Sequence, residues 1–269
     1  MRTFISIIIP TYKPQDYLWD CLDSIQNQTL SPKYFEVIVV LNGEKEPFYN
    51  SIKKKLSQYT FSSKLLYTEK SGVSIARNLG IQEANGTYIC FMDDDDWVSP
   101  SFLQELFNKA TPEGIVETNV IQVEEHTKRE IFHFLSHAYQ KASQKKKLHI
   151  INSRRFFSSV WCKIIPLSII GNKRFREDIT HGEDAFFMFT LSPMVKTINI
   201  TSKEAIYYVR ARKNSASRNK SLRRKKIKME LRLIGIYTIT YLRNPLKYNF
   251  IFFVTRLLGT IRNIVINPH

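Results

Sequence analysis

The chain has 269 residues, 43% of them hydrophobic, and a formal net charge of +16 at pH 7. That apolar content over this length supplies a sizeable core, excludes a mainly disordered chain, and suits one large domain or one domain with an appendage. The charge is uneven: residues 201–269 hold sixteen Lys or Arg against Glu204 and Glu230, a balance of +14 that leaves +2 for residues 1–200, so a basic end on a nearly neutral body points to an electrostatic anchor more than to a nucleic-acid-binding catalytic domain.

Residues 4–10 form a buried first strand, and residues 16–28 follow with Leu18, Cys21, Leu22 and Ile25 at helical spacing. The β-branched run at 35–41 predicts a second strand that stops at Asn42-Gly43, with a helix over 49–58 behind it. A shorter strand at 64–68 precedes a helix over 71–84, closed by Asn85-Gly86. The apolar stretch Tyr88-Ile89-Cys90-Phe91-Met92 is the next strand. Repeated strand-helix units imply an α/β fold with a mostly parallel sheet flanked by helices.

That last strand runs directly into Asp93-Asp94-Asp95-Asp96-Trp97. Four carboxylates this close repel one another unless a cation or hydrogen bonds offset the repulsion. Hard oxygen ligands at a strand end suit Mg²⁺ or Mn²⁺, which keep water and substrate phosphates in their other coordination positions. A solvated acidic loop is the alternative for an arbitrary acidic run, but open α/β sheets place their ligands outside the carboxyl ends of the strands. The first expectation is an enzyme acting on a phosphate ester.

Farther on, residues 114–123 predict one strand, and the polar, Lys-rich stretch up to Lys147 predicts a loop or mobile helix. Glu183 and Asp184 open an apolar helix in His181-Gly182-Glu183-Asp184, where acids favour a helix start on capping grounds alone. His181 has no second histidine at zinc-site spacing and is read as shaping that start. From Ser217 the chain turns basic through Arg223 to Lys228, then shows a helix with Phe250, Val254, Leu257, Leu258, Ile261 and Val265 on one face, interrupted by Arg256 and Arg262. Those charges argue against a membrane-spanning helix and for one at an anionic interface, or for a helical pair packed on the catalytic domain or a second subunit. The expected division is 1–215 and 216–269. Cys21, Cys90 and Cys162 lack paired spacing and read as reduced thiols, and the short apolar run at the start is not a signal peptide, so a cytoplasmic location is expected.

Four blocks together resemble the inverting GT-A glycosyltransferases of glycosyltransferase family 2. They are Ser6-Ile7-Ile8-Ile9-Pro10-Thr11-Tyr12, Gly72-Val73-Ser74-Ile75-Ala76-Arg77-Asn78, Asp93-Asp94-Asp95-Asp96-Trp97 and Gly182-Glu183-Asp184, in the family's order over residues 4–210. The resemblance implies a GT-A, Rossmann-like sheet and transfer of a sugar from a nucleotide-diphosphate donor, UDP first, to a hydroxyl of a glycan or polyprenyl-linked acceptor. It implies that Pro10, Thr11 and Tyr12 line the nucleotide pocket, Arg77 helps hold the nucleotide, Asp93 faces the ribose or a metal-bound water, and Asp95 binds Mn²⁺ or Mg²⁺. Asp94 joins the donor contacts, Asp96 positions the sugar, and Asp184 is the base with Glu183 beside it. Where the family commonly has an acidic pair after the second strand, this chain has Asn42-Gly43, either an uncharged base contact or a plain turn. Trp161 and Lys163 resemble a further block, Trp161 being equally suited to the core. Arg210, like Lys213, is either a phosphate contact or a solvated loop charge. A basic nucleic-acid-binding protein and a non-catalytic sugar-nucleotide binder are the competing classes: no recognisable nucleic-acid module accompanies the basic run, and intact Asp95 and Asp184 argue against the second. With the basic end on the inner face of the cell membrane, the expected partners are donor, acceptor and anionic lipid, with no nucleic acid.

Overall fold

The computed structural model describes residues 4–145, 148–211 and 223–266. In chain order the elements are β1 (Ile5–Thr11), α1 (Tyr17–Gln26), β2 (Phe35–Asn42), α2 (Phe48–Leu56), β3 (Ser62–Thr68), α3 (Val73–Glu83), β4 (Tyr88–Phe91), β5 (Trp97–Val98), α4 (Phe102–Lys109), β6 (Gly114–Glu117) and β7 (Asn119–Glu124). There follow β8 (Glu130–Ile131), α5 (Phe134–Ser143), β9 (Lys163–Pro166), α6 (Leu167–Ile170), α7 (Glu183–Leu191), β10 (Thr197–Ile200), β11 (Ile206–Ala211), α8 (Arg223–Arg243) and α9 (Phe250–Ile266). A seven-stranded sheet runs β10-β6-β9-β4-β1-β2-β3, and a four-stranded sheet runs β5-β11-β7-β8.

The strands β1, β2, β3 and β4 pair in parallel, and β9 enters antiparallel to both of its neighbours, β4 and β6. Every residue of β1 and β2 is buried, which is why both read as mostly apolar runs and not as alternating patterns. One polar exception is organised: Glu36, 2% exposed, accepts from the Ser6 hydroxyl at 2.7 Å and from the Asn85 N–H at 2.7 Å. Those bonds tie the β1–β2 pair to the turn that feeds β4, the strand that delivers the aspartates.

The expected strand over 114–123 is two strands. Thr118 breaks it, giving both its N–H and its hydroxyl to the Cys162 carbonyl at 3.0 Å, so β6 joins the large sheet and β7 the small one. The Lys-rich stretch, expected as loop or mobile helix, contains α5, held down by Leu135, Tyr139 and Ala142 at helical spacing. Cys21, Cys90 and Cys162 are free and buried.

The boundary expected at 215/216 lies outside the described residues. Beyond it, α8 and α9 pack on each other and on the body: Tyr237 sits edge-on to Phe186 and Phe189, and Phe252 lies against Phe157 and Phe189. Arg256, read in the sequence as an interruption of the apolar face, is 5% exposed and donates to the carbonyls of Phe157 and Arg154. It ties α9 to the body by satisfying carbonyls of a 3-10 turn (Arg154–Phe157) and, beside Phe157, the Ser158 hydroxyl at 3.4 Å. The inward face of α9 is thus Phe252, Phe253, Arg256 and Thr260, while Phe250, Leu258 and Ile261 of the predicted stripe are exposed. Among the described residues no helix is long and apolar enough to cross a membrane.

Candidate active site

The carboxyl ends of β1, β2 and β4 lie side by side, where an open parallel sheet binds its ligands. Thr11 closes β1, and its hydroxyl donates to Asp94 Oδ2 at 2.5 Å. Asn42 closes β2 and is 3% exposed; its amide donates to the Thr11 carbonyl at 2.8 Å and accepts the Gly72 N–H at 2.8 Å. Both ends of that side chain are spent on backbone, so Asn42 stitches β1 to the start of α3. Gly72 precedes α3 at φ +151, a region only glycine enters readily, and Gly43 follows Asn42 at φ +94. A Cβ at Gly43 would come within 2.7 Å of the Tyr12 ring, which is 50% exposed and stands over this turn.

The acidic loop is held from three sides. The Asp93 N–H donates to the Tyr207 hydroxyl at 3.0 Å, and the Arg210 N–H to Asp96 Oδ1 at 2.9 Å. Asp96 is 3% exposed; burial, then the charges of Asp95 and Asp93, hold its carboxyl well above the usual range. The residue expected to position the sugar is therefore a buried strut between the loop and β11. Arg210 is neither of the two things the sequence suggested. Its side chain is 8% exposed, with Nε donating to the Asp95 carbonyl at 2.8 Å, Nη2 2.7 Å from Asp20 Oδ2, and the guanidinium 5.0 Å from the Trp97 ring centre. It braces the acidic loop against α1.

Lys163 likewise departs from expectation. It is fully buried, opposite Glu117 in the β6–β9 register, with Nζ 2.8 Å from Glu117 Oε1 and a further hydrogen bond to the Phe156 carbonyl. An ammonium enclosed this way does not reach a substrate phosphate; it neutralises a carboxylate whose pKa burial still pushes up to about 7. Trp161 stacks on Tyr207 with centroids 5.0 Å apart and meets the His133 ring at 5.6 Å, bridging in backbone to Phe91. It is half-buried between the acidic strand and the segment before the base.

The centre of the site is Arg77, 3% exposed on α3. Nη1 is 2.5 Å from Asp184 Oδ1 and 3.7 Å from Glu183 Oε1, and Nη2 is 3.0 Å from Asp93 Oδ1; the guanidinium lies 5.4 Å from the Phe175 ring centre. Burial acts to lower the guanidinium pKa, but Asp184, Asp93 and Glu183 raise it overall, so the cation stays charged. For Asp184, burial pushes the carboxyl up to about 7; Arg77 opposes this, Glu183 and Asp93 add to it, and the Val160 N–H opposes again. One cation facing three carboxylates leaves local negative charge that favours a proton on the pair or a second cation nearby.

Asp93, Asp94 and Asp95 are half-buried, and among the described residues no three His, Cys, Asp or Glu group to hold a metal on their own. Hard oxygens from Asp95, with Asp93 beside it, fit an ion that takes the rest of its shell from phosphate oxygens and water. Sequence reasoning missed Tyr207, Phe175 and Asp20. Each acts from a separate element with no motif around it, and Tyr207 alone carried a signal, as the neighbour of Tyr208-Val209-Arg210.

Three comparisons bear on this geometry. The chain is 30% identical over 227 residues to "Glycosyltransferase GlyA" of Streptococcus pneumoniae, a match covering 80% of this chain and 31% of GlyA. It therefore spans about a third of that relative's length. S. aureus TarS 1-349 in complex with UDP-GlcNAc superposes with TM-score 0.70 at 20% identity, covering 88% of this chain and 66% of that one. The mannosyltransferase PcManGT from Pyrobaculum calidifontis, in complex with GDP-Man and Mn²⁺, superposes with TM-score 0.64 at 15% identity, covering 98% and 70%. These likenesses show the GT-A fold. The family model "Glycosyl transferase family 2" matches residues 6–169, the stretch that holds β1, Arg77 and the acidic loop, and the chain belongs to that family.

Proposed function

We propose that this chain is an inverting glycosyltransferase that moves a sugar from a nucleotide-diphosphate donor, UDP-sugar first, to a hydroxyl of a glycan or polyprenyl-linked acceptor in cell-surface polysaccharide synthesis. The observation that carries this reading is the Arg77 guanidinium, which holds Asp184 and Asp93 2.5 and 3.0 Å from its two nitrogens. A proton acceptor and the edge of the acidic loop are fixed relative to each other before substrate arrives, and such positioning is a large part of catalysis. Asp184 takes the proton of the acceptor hydroxyl as its oxygen attacks the anomeric carbon, and one displacement inverts that centre. Tyr12, half exposed above Gly43, offers its ring face to the base, and Asn42 keeps β1 and α3 at the spacing the nucleotide needs. Asp95, with Asp93, would hold Mn²⁺ or Mg²⁺, which when bound neutralises charge on the departing diphosphate. The TarS and PcManGT complexes support the donor class, and PcManGT the metal. No comparable observation favours a nucleic-acid-binding or non-catalytic role.

Thermal shift tests the donor side. UDP-sugar with Mn²⁺ at about 100 times its Kd raises the melting temperature by roughly 5 °C, and Asp95→Asn removes most of that rise. An equal shift in EDTA, unaffected by Asp95→Asn, sinks the metal assignment.

The reading extends to the inner leaflet of the cell membrane. The α8–α9 hairpin exposes Leu242, Leu246, Phe250, Ile251, Leu258 and Ile261, with Arg243, Lys247 and Arg262 among them. Apolar side chains rimmed by Lys and Arg suit the interface of an anionic membrane. Truncating the hairpin would bare Phe157, Phe186 and Phe189, so substitution on its outer face is the sound test. Leu246→Glu/Phe250→Glu is expected to weaken sedimentation with phosphatidylglycerol vesicles at least about tenfold while leaving the melting temperature within about 2 °C. Unchanged sedimentation rules the membrane role out.

A further inference from the structure

Away from the acidic loop, α5 and the segment running into the 3-10 turn border an open pocket of about 270 Å³ whose polar lining is Lys141, Lys145, Asn152, Ser153, Arg154 and Arg155, the rest being apolar, with Leu148, Ile151 and Phe156 among it. No carboxylate lines it, and α9 crosses beside it: a Cβ at Gly259 would lie 2.9 Å from Arg154 Nη1. Among the described residues none of these cations, nor Arg262 on α9, has a carboxylate within ion-pair distance. Burial lowers the Arg154 guanidinium pKa, and the like charges of Arg155 and Arg262 lower it further. Cations gathered without a counter-charge repel, and a bound anion removes that repulsion. A second, independent observation points the same way. Ser153 is 3% exposed and its hydroxyl has no hydrogen-bond partner, whereas buried hydroxyls are ordinarily paired.

We infer that this pocket is a binding site for a phosphate or diphosphate group, held by Lys141, Arg154 and Arg155 with the Ser153 hydroxyl as an added donor. Arginine forks and ammonium groups at the rim of a small cavity match the several oxygens of such an anion. On α9, whose Gly259 lies beside Arg154, Leu258 and Ile261 are exposed, so a phosphate carried by a lipid has apolar side chains on the neighbouring helix. A lipid headgroup and a free phosphate compound share this chemistry, and the experiment separates them.

Equilibrium dialysis of the full chain against radiolabelled inorganic pyrophosphate, in EDTA and about 0.15 M NaCl, reads the site without the donor pocket, since EDTA removes metal-bridged binding at Asp95. One saturable site per chain is expected. Lys141→Glu/Arg155→Glu, both exposed positions, weakens it at least about tenfold, while Lys53→Glu/Lys54→Glu on α2, the same change in net charge, leaves it within about twofold. Ser153→Ala, which keeps every charge, weakens it a few-fold. Phosphatidylglycerol vesicles displaced by pyrophosphate assign the site to a lipid-borne phosphate; vesicle binding that neither pyrophosphate nor the charge reversal disturbs assigns it to a soluble one. Absence of saturable pyrophosphate binding in the wild-type chain, or equal losses in the two charge-reversal pairs, overturns the site. Neither result touches the assignments of Asp95 and Asp184, which the donor shift and transfer assays read separately.

Discussion

Asp184→Asn is expected to lower kcat by about a thousandfold while leaving the UDP-sugar thermal shift intact, because the amide fills the same space but cannot accept the acceptor's proton. The neighbouring Glu183 does not rescue it: Glu183 stands 3.7 Å from the Arg77 nitrogen that Asp184 meets at 2.5 Å, so the two acids are not placed alike. The pH profile gives a second reading of the same residue. Burial sets the Asp184 carboxyl at about 7, and a general base works only when ionised. In the wild-type enzyme log kcat/KM therefore climbs with unit slope from pH 5 to about 7 and levels off above, a rise of about 100-fold. In Asp184→Asn the residual rate loses that limb. A wild-type profile flat from pH 5 to 8, or an Asn variant that keeps most of its activity, removes Asp184 from the role of base and returns Glu183 and Asp184 to helix capping.

Much of this arrangement was legible because it obeys local rules. Strands buried on both faces are predominantly apolar, and β1, β2 and β4 are; the carboxylates after β4 then stand at a sheet end, where parallel topology puts ligands. What stayed hidden depends on pairs far apart in the chain. Arg210 meets Asp20 across 190 positions, and Lys163 meets Glu117 only because β9 inserts antiparallel beside β6, a pairing that no local pattern announces. A cation near a motif block looks like a phosphate ligand until burial is known.

The C-terminal end shows the same limit from another side. The predicted stripe is divided: Val254 and Leu257 pack against the core while Phe250, Leu258 and Ile261 face outward, and the inner face of α9 also contains Arg256 and Thr260. Hydropathy misplaces the centre of the buried face because Arg256 is accepted there by the Phe157 and Arg154 carbonyls and the Ser158 hydroxyl, which take its two terminal nitrogens and leave Nε unpaired. Thr118 misled in the opposite sense. It is a β-branched residue inside a strand-like run, but its two bonds to the Cys162 carbonyl turn the chain from one sheet to the other.

Arg77→Ala is the substitution with the largest expected effect on stability. It leaves Asp93, Glu183 and Asp184 facing one another with no cation, the case in which removing one partner of a buried ion pair strands the others. A loss of about 3 kcal/mol is expected, or roughly 6 °C in melting temperature for a domain of this size. The sign of its pH dependence is fixed by which carboxyl form the folded state prefers. Burial already pushes the Asp184 carboxyl up to about 7 against the opposing charge of Arg77; without that charge it rises further, so the folded variant holds this proton more tightly than the unfolded chain does. Stability of the variant then falls relative to wild type as pH rises through the carboxyl range, and calorimetry finds a larger deficit at pH 8 than at pH 5. Arg77→Lys keeps one charge but not the fork that spans Asp184 and Asp93, so it recovers part of the stability while kcat stays low. Equal deficits at the two pH values, or full activity with lysine, show that Arg77 fills space beside Phe175 and does not set the charge of the site.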